Sequence, residues 1–466
     1  MIENEELVKI IEKKNESFIR NDLIPFLKIS SCTLNKTGIH EATQYIINYI
    51  SEFCDDIQQI EGKVNPLIIA KVSGKIDNPL LIYMMYDTQP INDLDKWLSP
   101  PFQADIRKIP SLIDLGDCII ARGAYNSKTP LLSFLNIIKI LKANDSLPIS
   151  LYLIIDGEEE IGSPTFLKLL THNKSLFKHC IDAYYPSTKQ DLDGKAIIKL
   201  GYKGIISLSL KTHTKNQQIH SAYNNIVPNP TLDLLSLINV IFNDKKIQIY
   251  SLCNEYKLSK QDRELTENLA SNENIDKIMM KAGISHLSIN DPSLLFQDYL
   301  FKPTFNISTL KSGHLKQGIK NSIPNSASCN IDIRFAHQLS TNTIFEEIEE
   351  IISLFSKNII SKVEIIRNNG LESSRVNRDS ILIKSILKSF NKLEIQSEIW
   401  PISAAASPVS KIQSELGIDY LAAGLGIGGN AHSINEFIKL DSIINARISY
   451  FYFLVFYSKI KKIKKK

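Results

Sequence analysis

No two cysteines in this chain are spaced to grip a metal or cycle as a redox pair. Cys32, Cys54, Cys118, Cys180, Cys253 and Cys329 are scattered, with no CxxC or CxxH spacing. This argues against zinc ribbons and dithiol chemistry and for free thiols in a reducing compartment. Long apolar runs are missing as well. The longest late one, Ile448 to Tyr457, is too short to span a bilayer. Met1 to Ile10 is acidic and has no signal-peptide core, so a cytoplasmic location is expected. There is no marked excess of either charge: 54 Lys plus Arg stand against 50 Asp plus Glu, for a net +4. Six of the lysines lie between Lys459 and Lys466, and without them the balance is 48 − 50 = −2. The body is therefore not basic, and neither nucleic acid nor membrane is an expected partner. Internal repeats are absent, and the only low-complexity block is the lysine tail, which reads as a solvated end.

What remains is ordinary for a soluble globular protein: 466 residues, 43% apolar and 22% charged, enough for two or three domains with real cores. Apolar spacing predicts helices over Glu3–Ile19, Asn21–Ser30 and Gly38–Phe53, then strands over Pro66–Val72 and Pro79–Met85. A strand near Cys118–Ala121 and a helix from Pro130 to Leu141 follow, giving an α/β alternation. The pattern changes near Lys199. Strands at Ile205–Lys211, Phe305–Leu310, Ala327–Phe335 and Val363–Ile366, with helices at Leu232–Phe242 and Ile344–Phe355, predict a separate α+β domain. Residues 243–300 read as an insertion with short helices. The α/β pattern returns with helix Ile381–Phe390, strands Gln396–Ile402 and Tyr420–Ala423, and a closing helix Ser442–Tyr457.

The most telling stretch is Asp156-Gly157-Glu158-Glu159-Glu160-Ile161-Gly162-Ser163, which follows an apolar strand, Ile149–Ile155. Three adjacent carboxylates at a strand end repel one another unless a cation sits among them. The C-terminal edge of an open α/β sheet is also where ligands bind. Alone, such a triplet reads as a solvated loop. Five further motifs reverse that reading: Tyr83 to Pro90, Arg122 to Lys128, His220-Ser221, Ile323-Pro324 through Arg334, and His432 to Glu436.

In order and spacing these six segments resemble the M20 family of di-zinc peptidases, which includes carnosinase-like dipeptidases, aminoacylases and succinyl-diaminopimelate desuccinylase. The resemblance implies a zinc-peptidase-like α/β catalytic domain, discontinuous over 1–202 and 371–466. It also implies an inserted α+β lid, 203–370, that joins two chains as a homodimer. The family reaction is amide hydrolysis, in which two zinc ions about 3.5–4 Å apart polarise the carbonyl and activate water and a glutamate shuttles the proton. Carried over, Glu159 is that base, Glu160 and His432 are ligands to one zinc, and Asp87 stands behind a ligating histidine. His220 is either the lid histidine that steadies the oxyanion or a loop histidine bonded locally. Arg334 holds either a substrate carboxylate or a structural acid in the lid.

The residues for the other zinc depart from the pattern. Its histidine position holds Met85, the bridging aspartate position holds Asn126, and the remaining aspartate position holds Thr188, with Ser187 beside it. A thioether suits copper(I) rather than zinc among oxygens, so Met85 reads as core packing. A neutral amide lacks the charge a shared ligand needs, and a hydroxyl is a poor zinc ligand. Of three family carboxylates around the metals only Glu160 survives, so two zinc ions would leave +4 − 1 = +3 in a low-dielectric cleft. That rules against a standard two-metal site and leaves at most one zinc, on Glu160, His432 and the Asn126 oxygen. Asp87, without its histidine, is expected to bind Lys128 or water. Lys203 stands where the family often has arginine. Asn224-Asn225 replaces a Gly-Gly, as asparagine tolerates positive φ. Thr129 replaces a glycine.

Three functions are compatible with this. The first is a homologue of dipeptide or N-acyl amino acid hydrolases that is inactive or weakly active and binds a small peptide-like ligand. The second is a working single-zinc amidohydrolase using Glu159, Glu160 and His432. The third is a non-catalytic dimeric scaffold.

Overall fold

The computed structural model describes residues 4–34, 36–254 and 256–464. Glu3, where the first helix is expected to begin, and the last two lysines of the tail lie outside them. The chain is a mixed α/β protein that divides into two compact units. One comprises Met1–Leu200, Val376–Trp400 and Lys411–Lys466, and the other Gly201–Arg375 and Pro401–Ser410.

The first unit is built on a six-stranded sheet in the order Asp56–Ile60, Leu67–Val72, Leu151–Asp156, Leu80–Met85, Ala183–Pro186, Tyr420–Ala423. The last four run parallel; Leu67–Val72 joins them antiparallel, and Asp56–Ile60 pairs antiparallel with Leu67–Val72. Leu80–Met85 and Leu151–Asp156 are buried at every position. Such unbroken apolar runs are what a central strand covered on both faces requires. Pairing of Met85 with Asp156 and of Ala423 with Pro186 aligns the C-terminal ends. The segments beginning at Tyr86, Gly157 and Ser187 therefore leave from one edge of the sheet.

A second sheet in this unit pairs Phe437 with Ile120, which lays the loop 430–436 beside the loop 121–127. The helix expected from Pro130 begins at Lys128 and runs to Ala143. The expected helices 3–19 and 21–30 form one nearly continuous helical stretch with a wider turn at Ile19–Leu23. Strands Asp56–Ile60 and Asp105–Lys108 were not expected from the sequence, because their side chains are largely polar.

The second unit carries a four-stranded antiparallel sheet in the order Thr304–Ser312, Ser326–Phe335, Gly204–His213, Lys362–Leu371. Gly204–His213 alternates buried and partly exposed residues, the signature of a sheet with one covered face. Ile206, Leu208, Leu210, Ile331 and Ile333 pack there against Leu237 and Ile348, which come from helices Pro230–Ile241 and Thr341–Ser356. The stretch 243–300 contains short helices, including Lys260–Leu269 and Pro292–Phe301.

Candidate active site

The acidic turn does not fold as three parallel carboxylates. Glu158 is buried, and its Oε1 accepts the amides of Val64 at 2.5 Å and Asn65 at 3.0 Å. Its Oε2 accepts Thr165 N at 3.1 Å, in the first turn of helix Pro164–His172, where a negative charge is favoured. Neither a solvated triplet nor a triplet facing one cation describes this arrangement. Gly162 (φ 90°) turns the chain between the acids and that helix in a conformation glycine adopts freely.

Asp87 is also buried. Its Oδ1 accepts Glu159 N at 3.2 Å, and its Oδ2 accepts Glu160 N at 3.1 Å and the Thr33 hydroxyl at 2.7 Å. Burial, then the Asp156 charge, lifts its carboxyl well above the usual range. The expected contact of Asp87 with Lys128 is not made. Lys128 Nζ turns to the carbonyls of Phe26, at 3.3 Å, and Ile29. It lies over the rings of Phe26 and Phe102, and burial pushes its pKa down to about 7. The amides at the start of the acidic turn satisfy Asp87, and nearby main-chain oxygens satisfy Lys128.

At the rim, Glu160, Asn126 and His432 meet. Glu160 Oε1 is 3.2 Å from His432 Nε2, and Asn126 Nδ2 is 3.5 Å from the first and 3.1 Å from the second. Gln89 Nε2, which no fixed motif position marks in the sequence, donates to Glu160 Oε2 at 2.8 Å. The Glu160 side chain is 4% exposed and that of His432 51%. Its bond to Glu160 raises the His432 pKa. Burial, followed by the charges of Glu160 and Asp156, pushes Glu159 up to about 8.

Met85 is buried at its strand end, and its carbonyl accepts the Ser127 hydroxyl at 2.9 Å. Thr188 is buried and donates its hydroxyl to Tyr125 O at 2.7 Å. Thr129 is buried with its hydroxyl unpartnered. In the second unit, exposed His220 accepts Ala222 N at its own Nδ1, 3.2 Å away. Lys203 Nζ donates to Tyr299 O at 2.9 Å and Lys302 O at 2.8 Å. Burial, then nearby Arg334, brings Lys203 down to about 8. Among the described residues no carboxylate forms an ion pair with Arg334. Asn224 has φ of −56°, and neither it nor Asn225 has positive φ, so the glycine-like conformation expected there is not used.

A tetrahedral zinc with bonds of about 2.0 Å has ligand–ligand edges of about 3.3 Å. The triangle at the rim has edges of 3.1, 3.2 and 3.5 Å. With Asn126 Nδ2 at its vertex the triangle is frustrated. If Nδ2 donates to His432 Nε2, that nitrogen faces Glu160 Oε1 acceptor to acceptor. If Nε2 is protonated, two donors face each other. Turning the amide over puts its oxygen there, and either a protonated Nε2 or a bound cation then faces oxygen on both sides. Met85 offers a buried thioether, the Thr188 hydroxyl is already donated, and Asp87 is consumed by amides. Among the described residues, no group of three or more His, Cys, Asp or Glu is placed to hold a metal.

The solved structure of the M20 family metallo-carboxypeptidase Sso-CP2 from Sulfolobus solfataricus superposes with a TM-score of 0.82 at 26% identity, covering 94% of this chain and 98% of that one. The Cys-Gly metallodipeptidase of Saccharomyces cerevisiae is 20% identical over 471 residues, 97% of this chain and 94% of that protein. The Beta-Ala-His dipeptidase of Rattus norvegicus is 21% identical over 315 residues, 66% of this chain but only 62% of that protein's length. The model of Peptidase family M20/M25/M40 matches residues 81–455. Taken with the sheet edge that gathers the acidic turn, this match assigns the chain to that peptidase family.

Proposed function

We propose that this protein keeps the M20 scaffold but has given up two-metal amide hydrolysis. On this reading its cleft binds a small peptide or N-acyl amino acid, with at most one zinc per chain. The observation that carries the reading is the neutral Asn126 amide between Glu160 and His432, where a shared ligand between two dications needs a carboxylate. The Cys-Gly metallodipeptidase and Beta-Ala-His dipeptidase among its relatives support a peptide-like ligand. Zinc content and dipeptide cleavage measured on one purified sample test the proposal. No more than one zinc per chain and little or no cleavage are expected, and two zinc ions with ordinary dipeptidase activity end it. The triple variant Met85→His, Asn126→Asp, Thr188→Asp is expected to raise the zinc count to two.

The near-tetrahedral edges at the rim favour a second reading, a single-zinc amidohydrolase. Glu160, His432 and the Asn126 oxygen would hold the ion, which supplies Lewis acidity toward a carbonyl and its attacking water. Glu159 would take the proton from that water and return it to the leaving amine. On this reading the unmodified protein cleaves dipeptides and Glu159→Gln abolishes the cleavage. A homodimer joined through 203–370 is part of both readings. Among the described residues no helix is long and apolar enough to cross a membrane.

A further inference from the structure

The site's loops share one anchor that is not itself at the rim. Glu436 is fully buried and spends its carboxylate on four donors. Its Oε2 accepts Arg122 Nη1 at 2.8 Å and Gly123 N at 3.0 Å. Its Oε1 accepts Tyr125 N at 3.1 Å and Asn126 N at 2.8 Å. Both oxygens are thereby saturated. The main chain of Glu436 also accepts Ala121 N at 3.0 Å. Arg122 in turn donates Nη2 to Pro90 O at 3.4 Å and lies over the Trp97 ring, 5.5 Å from its centroid. Asn435 adds a stitch, its Oδ1 accepting Leu98 N at 2.6 Å. One buried ion pair therefore joins the loop that carries Asp87 and Gln89, the loop that carries Asn126 and the loop that carries His432.

We propose that Arg122 and Glu436 are positioning residues, which set the Asn126 amide against His432 and Glu160 by fixing the 121–127 loop to the 430–436 loop. The proposal rests on the assignment of Asn126 and His432 to the candidate site. Removing one partner of a buried pair leaves the other charge uncompensated, so each side chain is held where the other needs it. Gln at 436 would turn an NH2 group toward two of the four donors. Lys at 122 would keep the charge while losing the Pro90 bond and the flat contact with Trp97.

The test uses the metal-free full chain with 15N-labelled asparagine and 13C-labelled histidine. The Asn126 side-chain amide and the His432 ring are followed by NMR. Glu436→Gln and Arg122→Lys are each expected to shift both signals. Asn136→Ala, which breaks the remote Arg447 contact, serves as a destabilised control and is expected to leave both in place. Unmoved signals in the two anchor variants, or equal movement in the control, overturn the proposal. If Glu436→Gln does not fold, Arg122→Lys decides. Zinc counts on the unmodified protein test the functional reading separately, because the signals report on loop placement with no metal present.

Discussion

Asp156 ends the central strand with no oxygen left over. Its Oδ1 accepts Glu158 N at 2.9 Å and its Oδ2 the Tyr83 hydroxyl at 2.9 Å, while burial lifts its pKa from 3.8 to about 6. A carboxyl raised in the folded state binds more protons folded than unfolded. The stability it adds is complete below the unfolded value and is lost as pH rises through the folded one. The unfolding midpoint in urea is expected to decline between about pH 4 and 6, and Asp156→Asn to flatten that decline by on the order of 3 kcal/mol. An unchanged slope in the variant would remove Asp156 as its source. Substitutions such as Met85, Asn126 and Thr188 are legible in the sequence because each breaks a short motif at one position. The work of Glu158 and Asp87 is not legible there. Both accept main-chain amides, and any residue supplies those, so no pattern of side chains announces them.

At the scale of elements, the closing helix Ser442–Lys464 is tied down by one buried cation. Arg447 donates Nη1 to Ile11 O at 3.1 Å and Asn15 Oδ1 at 2.8 Å, and Nη2 to Asn136 Oδ1 at 2.6 Å. It lies 4.5 Å from the Phe18 ring centroid. Arg447→Met strands those acceptors and is expected to cost about 1–3 kcal/mol in urea unfolding. Amide exchange in residues 4–28 should quicken, and unchanged protection there would separate the helices from this contact. The helix expected to stop at Tyr457 runs on to Lys464, as lysine is a good helix former and its charge suits a helix C-terminus. Buried strands could be read from their continuous apolar runs. The polar edge strands could not, because main-chain pairing alone defines them.

At the scale of the molecule, the chain passes between its units after Leu200, Arg375, Trp400 and Ser410. The assignment of Pro401–Ser410 to the second unit left no trace in composition. It comes from main-chain bonds, Ser403 N to Gly201 O at 2.8 Å and Lys203 N to Ser403 O at 3.0 Å. The proposed dimer is read by sedimentation of the full chain, with twice 52.7 kDa expected. Edge strand Thr304–Ser312 exposes Leu310, and Leu310→Lys is expected to weaken association if that edge takes part. The four crossings also bear on synthesis. Strand Ala183–Pro186 has Tyr420–Ala423 as its outer neighbour, so a nascent chain emerging from the ribosome holds an unfinished sheet until more than 200 further residues are made. At about 5–20 residues per second that interval is on the order of 10–45 s. Over that time the bare strand edge is open to chaperones or to other nascent chains, and the Gly201–Arg375 segment is made within the same interval.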